Sequence, residues 1–360
     1  MKRQLSIGLA VVLLVAVVIV IVRGSGDDDP AVADGKTVVR GVIGSEKVAF
    51  FQDKRVVDAF AKHGLTVQVD AAGSRQIATS VDLGKYDFAF PSSAPSAQKI
   101  QQDKKITTVY TPFHSPMAVA TFNPIVDLLS KQGSVKQGPG EYLVLDVAKY
   151  LDLTGAGTRW DQIPGNTAYP ARKNVLVTTT DPRNSNSAAM YLSAVSFVAN
   201  GNNIVSTPAA ETAVLPAMSK LFLDQGYAQN SSEGPFEDYL SAGMGKSPMV
   251  MVYESQFLDR QTRGDGSIQA GMRLIYPSPT VLSKHTLIPL KGLGDQVGKL
   301  LTTDPELAKL AAELGFRTND PKYFREVVGD RAPADLIDVV EPPSFETLER
   351  MLEAIGKQYG

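Results

Sequence analysis

Apolar and polar positions alternate in blocks along most of the chain. Thr37–Ile43 is a β-branched run that Gly44-Ser45-Glu46 ends, which predicts a strand. Val48–Lys62 puts Val48, Phe51, Val56 and Phe60 on one face and predicts a helix. Leu65–Val69 alternates as a strand. Ala72-Gly73-Ser74-Arg75 opens a helix-like stretch to Val81, and Tyr86–Phe90 is strand-like and runs into Pro91-Ser92-Ser93. Thr107–Tyr110 and Met117–Phe122 are extended candidates. Glu141–Leu151 and Ser187–Ala199 are predicted helices, Lys173–Thr180 and Pro248–Val252 strands, and Met272–Tyr276 and Leu287–Pro289 short extended segments. Asp304–Leu314 carries Pro305 in its first turn and is followed by Gly315, the signature of a helix with both ends marked. Ser344–Lys357 is a second terminal helix. There is no internal repeat. Strand–loop–helix alternation of this kind predicts an α/β fold with a parallel sheet covered by helices.

The N-terminus breaks the pattern. Lys2 and Arg3 precede an apolar run from Leu5 to Val22, interrupted only by Ser6 and Gly8. Eighteen helical residues span roughly 27 Å, close to the hydrocarbon thickness of about 30 Å. Residues 1–23 are therefore expected to be a transmembrane anchor. A signal peptide is the rival, with Ala31-Val32-Ala33 as a cleavage-like site, but that site lies beyond Arg23 and the acidic run Asp27-Asp28-Asp29. The short positive start should stay cytoplasmic, which places the body outside the cytoplasmic membrane as a single-pass protein. Residues 24–36, rich in Gly, Ser, Asp and Pro, are expected to form a flexible tether.

Composition narrows the chemistry. The 360 residues are 43% hydrophobic and 21% charged, with a formal net charge of −2. That balance gives no support to nucleic-acid binding, which wants a basic field. Cysteine is absent, so disulfides, thiolate metal sites, a cysteine nucleophile and a lipid-modified N-terminal cysteine are excluded. Only three histidines occur, His63, His114 and His285, and no two are closely spaced, so no histidine-rich metal site is expected. No cofactor is predicted.

Two α/β halves with polar loops after strands resemble the type 2 periplasmic binding-protein family. In particular, they resemble bacterial extracellular solute-binding proteins of the molybdate and phosphate receptor kind. The resemblance is carried by Gly44-Ser45-Glu46, Ala72-Gly73-Ser74-Arg75, Phe88-Ala89-Phe90-Pro91-Ser92-Ser93, Thr178–Ser187 (TTTDPRNSNS), Val250–Ser255 and Asp304-Pro305-Glu306…Leu314-Gly315-Phe316, in that order. It implies a lobe made of residues 37–122 plus 278–360, an inserted lobe at 123–277, and a ligand in the cleft between them. It also implies a non-enzymatic receptor that hands its solute to a transporter or sensor and closes about segments near 113–123 and 276–289. An envelope interaction protein with the same fold and a degenerate pocket is the alternative.

Short polar residues at predicted helix starts supply the candidate ligand-binding groups, because free amide N–H groups there face the positive end of the helix dipole. They are Ser45, the Gly73-Ser74-Arg75 run and Asn184-Ser185-Asn186-Ser187. Gly73 would admit a close backbone approach, and Arg75 offers a planar fork suited to an oxyanion. Ser92, Ser93 and Ser115 add hydroxyls, and Tyr253 a phenol. The favoured ligand is a small oxyanion. Each position also fits a plainer role: Ser and Asn as helix caps, Arg75 as a surface charge, Ser92-Ser93 as a turn, Tyr253 as a packed strand aromatic. Glu254 would repel an anion unless paired. It reads first as a structural ion pair, with Arg75 or Arg183 as partner, and otherwise as a contact for a cation or ammonium group.

Three patterns carry nothing further. Gly245-Lys246-Ser247 lacks the earlier glycine of a phosphate-binding loop, where Leu240 stands. Gly155-Ala156-Gly157 runs into Thr158-Arg159-Trp160, which breaks a dinucleotide fingerprint. His114 beside Ser115 suggests a catalytic pair but has no orienting carboxylate assigned to it.

Overall fold

The computed structural model describes residues 32–33, 35–138, 142–226, 228–335 and 338–359. The expected anchor at residues 1–23 and most of the expected tether lie outside them. Among the described residues no helix is long and apolar enough to cross a membrane.

The chain opens with β1 (Val32–Ala33), β2 (Lys36–Ile43), α1 (Val48–Gln52), α2 (Lys54–Lys62), β3 (Leu65–Ala71), α3 (Ser74–Thr79), β4 (Phe88–Phe90) and α4 (Ala94–Lys104). β2 lies between β3 and β4 and is parallel to both. Its alternating side chains enter two cores. Val39 and Ile43 pack with Phe50, Phe60 and Phe88 on one side, and Val42 packs with Ile77 and Ile100 on the other. A strand buried on both faces needs an apolar, β-branched run, which is what Thr37–Ile43 supplies.

β5 (Tyr110–Phe122) carries the chain into a second lobe, followed by α5 (Asn123–Lys131), β6 (Val135–Gln137), β7 (Leu143–Asp146), α6 (Val147–Gly155), α7 (Asn186–Ala199), α8 (Pro208–Leu223), α9 (Glu233–Ala242), β8 (Met249–Tyr253), α10 (Glu254–Arg263) and β9 (Met272–Ser278). β10 (Thr280–Pro289) brings it back to α11 (Gly292–Thr303), α12 (Pro305–Glu313), β11 (Arg317–Thr318), α13 (Pro321–Val328), β12 (Val339–Val340) and α14 (Phe345–Gly356). β5 and β10 pair antiparallel and connect the lobes. On β5, Phe113 packs with Phe50, Phe90 and Phe316 in the first lobe, whereas Met117 and Val119 belong to the core of the second, with Trp160, Leu192 and Phe222. On β10, Leu287 and Val281 divide in the same way. Each such side chain stabilises its lobe by roughly 1.5–3 kcal/mol, so both strands are anchored at both ends.

Several sequence expectations are corrected. The helix expected over Val48–Lys62 breaks at Asp53, whose extended backbone ends α1 while its carboxylate accepts from the Arg55 amide and caps α2. The two extended segments around residues 107–122 are one strand of 13 residues from Tyr110. Leu143–Asp146 is a strand, and the helix expected from Glu141 starts at Val147 with Asp146 as its cap; Glu141 itself lies outside the described residues. Lys173–Thr180 joins the sheet only through a bridge from Thr178 to Val250. The C-terminal helix was expected with the first lobe. Yet Leu348, Met351, Leu352 and Ile355 of α14 are buried in the second lobe's core, and only Phe345 enters a first-lobe cluster.

Candidate functional site

β2 ends at Ile43, and the turn at Gly44 delivers Ser45, Glu46 and Lys47 into the gap between the lobes. A Cβ on Gly44 would lie 2.1 Å from Ser92 Oγ, so a larger residue there must displace the Ser92 hydroxyl. Lys47 is wholly buried and donates to Glu46 Oε1 at 2.5 Å and to Ser92 Oγ at 2.6 Å, with His285 Nδ1 3.1 Å away. Burial holds the Lys47 ammonium below its usual pKa, and the Glu46 charge and hydrogen bond oppose that shift. Ser92 is the hub of the floor. Its hydroxyl also donates to Glu46, its N–H donates to Ser74 Oγ at 2.8 Å, and its carbonyl accepts from Ser283 and from Asn186 Nδ2, the latter at 3.3 Å.

The second lobe meets this floor through α7. Ser185 caps the helix, accepting from the Ser187 amide at 3.2 Å. Asn186 donates to Tyr253 Oη at 3.0 Å as well as to the Ser92 carbonyl, so one amide ties both lobes together. Burial pushes the Tyr253 phenol well up, which keeps it neutral. Asn186 Oδ1 and Ser187 Oγ are buried without a hydrogen-bond partner among the described residues. At Gly73 the lobes approach so closely that a Cβ would lie 2.7 Å from the Asn184 carbonyl.

Two adjoining chambers occupy the gap. The smaller, of about 270 Å³, is lined by Ser45, Glu46, Gly73, Ser74, Gln76, Asn184, Ser185, Asn186, Asn230, Ser231, Ser232 and Tyr253, among others. The larger, of about 440 Å³, shares Ser45, Glu46, Ser231 and Ser232 and extends along α1, α9 and α10. Seven of the residues expected at a ligand site thus line one chamber: Ser45, Gly73, Ser74, Asn184, Ser185, Asn186 and Tyr253. Ser92 and Ser187 sit directly behind it.

The other four lie elsewhere. Arg75 is fully engaged, its guanidinium paired with Glu349 of α14 and donating to the Pro182 carbonyl. Ser93 caps α4 through the Ser96 amide. Ser115 Oγ accepts from the Ser255 amide at 3.0 Å and fixes the start of α10. Glu254 faces away from the gap. Arg317, not Arg75 or Arg183, takes both its oxygens at 2.6 and 2.8 Å, and the Tyr276 hydroxyl donates to it at 2.6 Å. Arg183 pairs with Asp181 instead. Ser115 and His114 are neighbours on a strand and so point to opposite faces, which prevents a direct serine–histidine pair. Among the described residues no group of three or more metal-ligating side chains is assembled.

Sequence reasoning missed Glu46, Lys47 and the Asn230-Ser231-Ser232 run. The last carries the same signal as Asn184–Ser187, short polar residues directly before a helix, and was findable. Lys47 carries none, because a lysine beside an amphipathic helix normally reads as a surface charge.

No protein-family model matches the chain, and no curated protein sequence does. Solved structures do match. The sulfate-binding protein SubI from Mycobacterium tuberculosis H37Rv aligns over 87% of this chain and 96% of its own, with a TM-score of 0.55 and 16% identity. A periplasmic thiamin binding protein aligns over 92% and 99%, with a TM-score of 0.58 and 11% identity. Iron-bound HitA from Pseudomonas aeruginosa aligns over 90% and 99%, at 0.54 and 11%. The chain has the two-lobed α/β fold of type 2 periplasmic binding proteins.

Proposed function

We propose that the chain is an extracytoplasmic solute-binding protein that captures a small polar solute, an oxyanion by preference, between its lobes and presents it to a membrane transporter or sensor. In this proposal residues 5–22 hold it at the membrane. The observation that carries the reading is the smaller chamber, where uncharged hydroxyl and amide side chains from both lobes converge at the starts of α3 and α7. Hydrogen-bond donors at helix starts stabilise an anion without a full counter-charge. The one acid–base pair on the floor, Glu46 with Lys47, is joined through the single oxygen Oε1 of Glu46.

Thermal unfolding of the purified protein with sulfate, molybdate, phosphate, metal ions and amino acids tests the reading. A true solute at 100 times its dissociation constant is expected to add about 2.7 kcal/mol; no stabilisation by any of them overturns it. The intact mass of membrane-extracted protein tests the anchor, which fails if residues 1–33 are missing.

A further inference from the structure

The gap is larger than a single inorganic ion requires. A water molecule takes about 30 Å³ of liquid volume, and a tetrahedral ion displaces a few such volumes. The chambers measure about 270 and 440 Å³, together in the range of roughly 300–1,000 Å³ typical of organic-ligand pockets. Between them stands a waist, where Ser45 Oγ of one lobe meets Ser231 Oγ of the other at 3.4 Å. That contact is long for two hydroxyls, and both groups can turn to a solute instead.

The chambers differ in chemistry. Among the described residues the smaller has Glu46 as its one charged lining residue, at the waist. The larger adds Glu233 and Asp259 to Glu46, with Arg260 and Arg263. Arg260 is shared among Glu233, Glu237 and Asp265, so acid outweighs base around it. Asp259 is 8% exposed, and its buried Oδ1 has no hydrogen-bond partner among the described residues. Burial pushes the Asp259 carboxyl up in spite of Arg263 on its other oxygen, the mark of an acceptor short of donors. Phe50, Phe236 and Phe316 supply an apolar wall beside it.

Resting on the solute-receptor reading above, we propose that the solute is a zwitterionic organic molecule that spans the waist, its oxyanionic head among the serines and asparagines of the smaller chamber and its ammonium group against Asp259 and Glu46 in the larger. The amine then donates to the orphaned Asp259 Oδ1, a role that neither an inorganic ion nor a purely anionic ester can fill.

Matched probes that differ only by amine against hydroxyl test this by calorimetry on the full-length protein in detergent. They are taurine against isethionate, and phosphoethanolamine against ethylene glycol phosphate, with inorganic sulfate and phosphate alongside. In at least one pair the amine is expected to bind at least tenfold tighter than its hydroxyl partner. Asp259→Asn is expected to shrink that ratio at least fivefold. Inorganic ions or hydroxyl probes that bind without any gain from the amine overturn the inference and leave the receptor reading standing. So does a ratio that Asp259→Asn does not move. The wild-type ratio decides even if the variant folds poorly. If none of the six probes binds, the inference fails; if the wider solute panel is silent too, the receptor reading falls with it.

Discussion

Two buried acid–base pairs can be set side by side, each with its carboxylate just after a strand and a histidine close to the pair. Glu254 follows β8, and its Arg317 partner has His114 as a cross-strand neighbour. Glu46 follows β2, and with its Lys47 partner it lies against His285. The difference is the cation. Arg317 presents a planar fork that occupies both oxygens of Glu254, and Tyr276 completes the seal. Lys47 is a point charge, and its contact, those of Ser92 and His285 included, runs to the single oxygen Oε1 of Glu46. A carboxylate saturated by arginine becomes scaffold. One held from behind by lysine keeps a face toward the chambers. A charge beside a cleft loop says little until its partner is known.

That contrast can be broken by mutation. Glu254→Ala leaves the Arg317 guanidinium buried without a counter-charge and is expected to cost about 3–5 kcal/mol in urea unfolding. Adding Arg317→Met should recover most of the loss, and a double variant as weak as the sum of both would contradict the sealed-pair account. Acid should strike next. Burial, and then the charges of Arg317 and Lys284, hold His114 down to about 4. The unfolded chain takes up that proton near pH 6.5, so the His114 contribution is complete above pH 6.5 and is lost as the pH drops toward 4, by about 3 kcal/mol; fully buried His285, also held well below the usual histidine value, adds to the same slope. His114→Gln should reduce that slope and leave the His285 part of it.

Lys47→Met is expected to cost about 2 kcal/mol, less than Glu254→Ala, because the freed Glu46 still borders space that water can reach. Asn186→Ala removes the amide joining the Ser92 carbonyl to Tyr253, and the affinity for whichever solute stabilises the protein should drop about tenfold, worth ~1.4 kcal/mol. Ser93→Ala, next to Ser92 in sequence but only a helix cap, should lower stability by about 1 kcal/mol and leave solute affinity where it was.

How far the sequence discloses this molecule follows from the range of each interaction. β2 was legible because burial on two faces demands a β-branched run, and β3 because its apolar and polar residues alternate. The N-cap runs at residues 73–74 and 184–186 were legible because a cap is a local device. β5 was only half legible: His114, Ser115 and Pro116 interrupt its apolar pattern at the crossing between lobes, where the strand leaves one core for another. Lys173–Thr180 looked like a strand on composition, yet it pairs at little more than Thr178. Arg75 was misjudged because its partner, Glu349, is 274 residues away. Glu254 was read rightly as a structural ion pair, but its partner, Arg317, lies 63 residues away and was not named. Long-range pairing of charges leaves no local trace.

Helix α14 straddles the two halves. Phe345 is seated among Ile77, Ala97 and Ile100 of one, and Leu348, Met351, Leu352 and Ile355 are sunk in the other. Ion pairs grip the helix from both directions, Arg75 to Glu349 and Arg350 to Glu211. A rigid rod moored to both jaws limits how wide they can swing. Opening beyond side-chain reach must first unseat Phe345 or part Arg75 from Glu349. The last turns of α14 therefore act as a tie between the two cores, and trimming them is expected to loosen one half against the other.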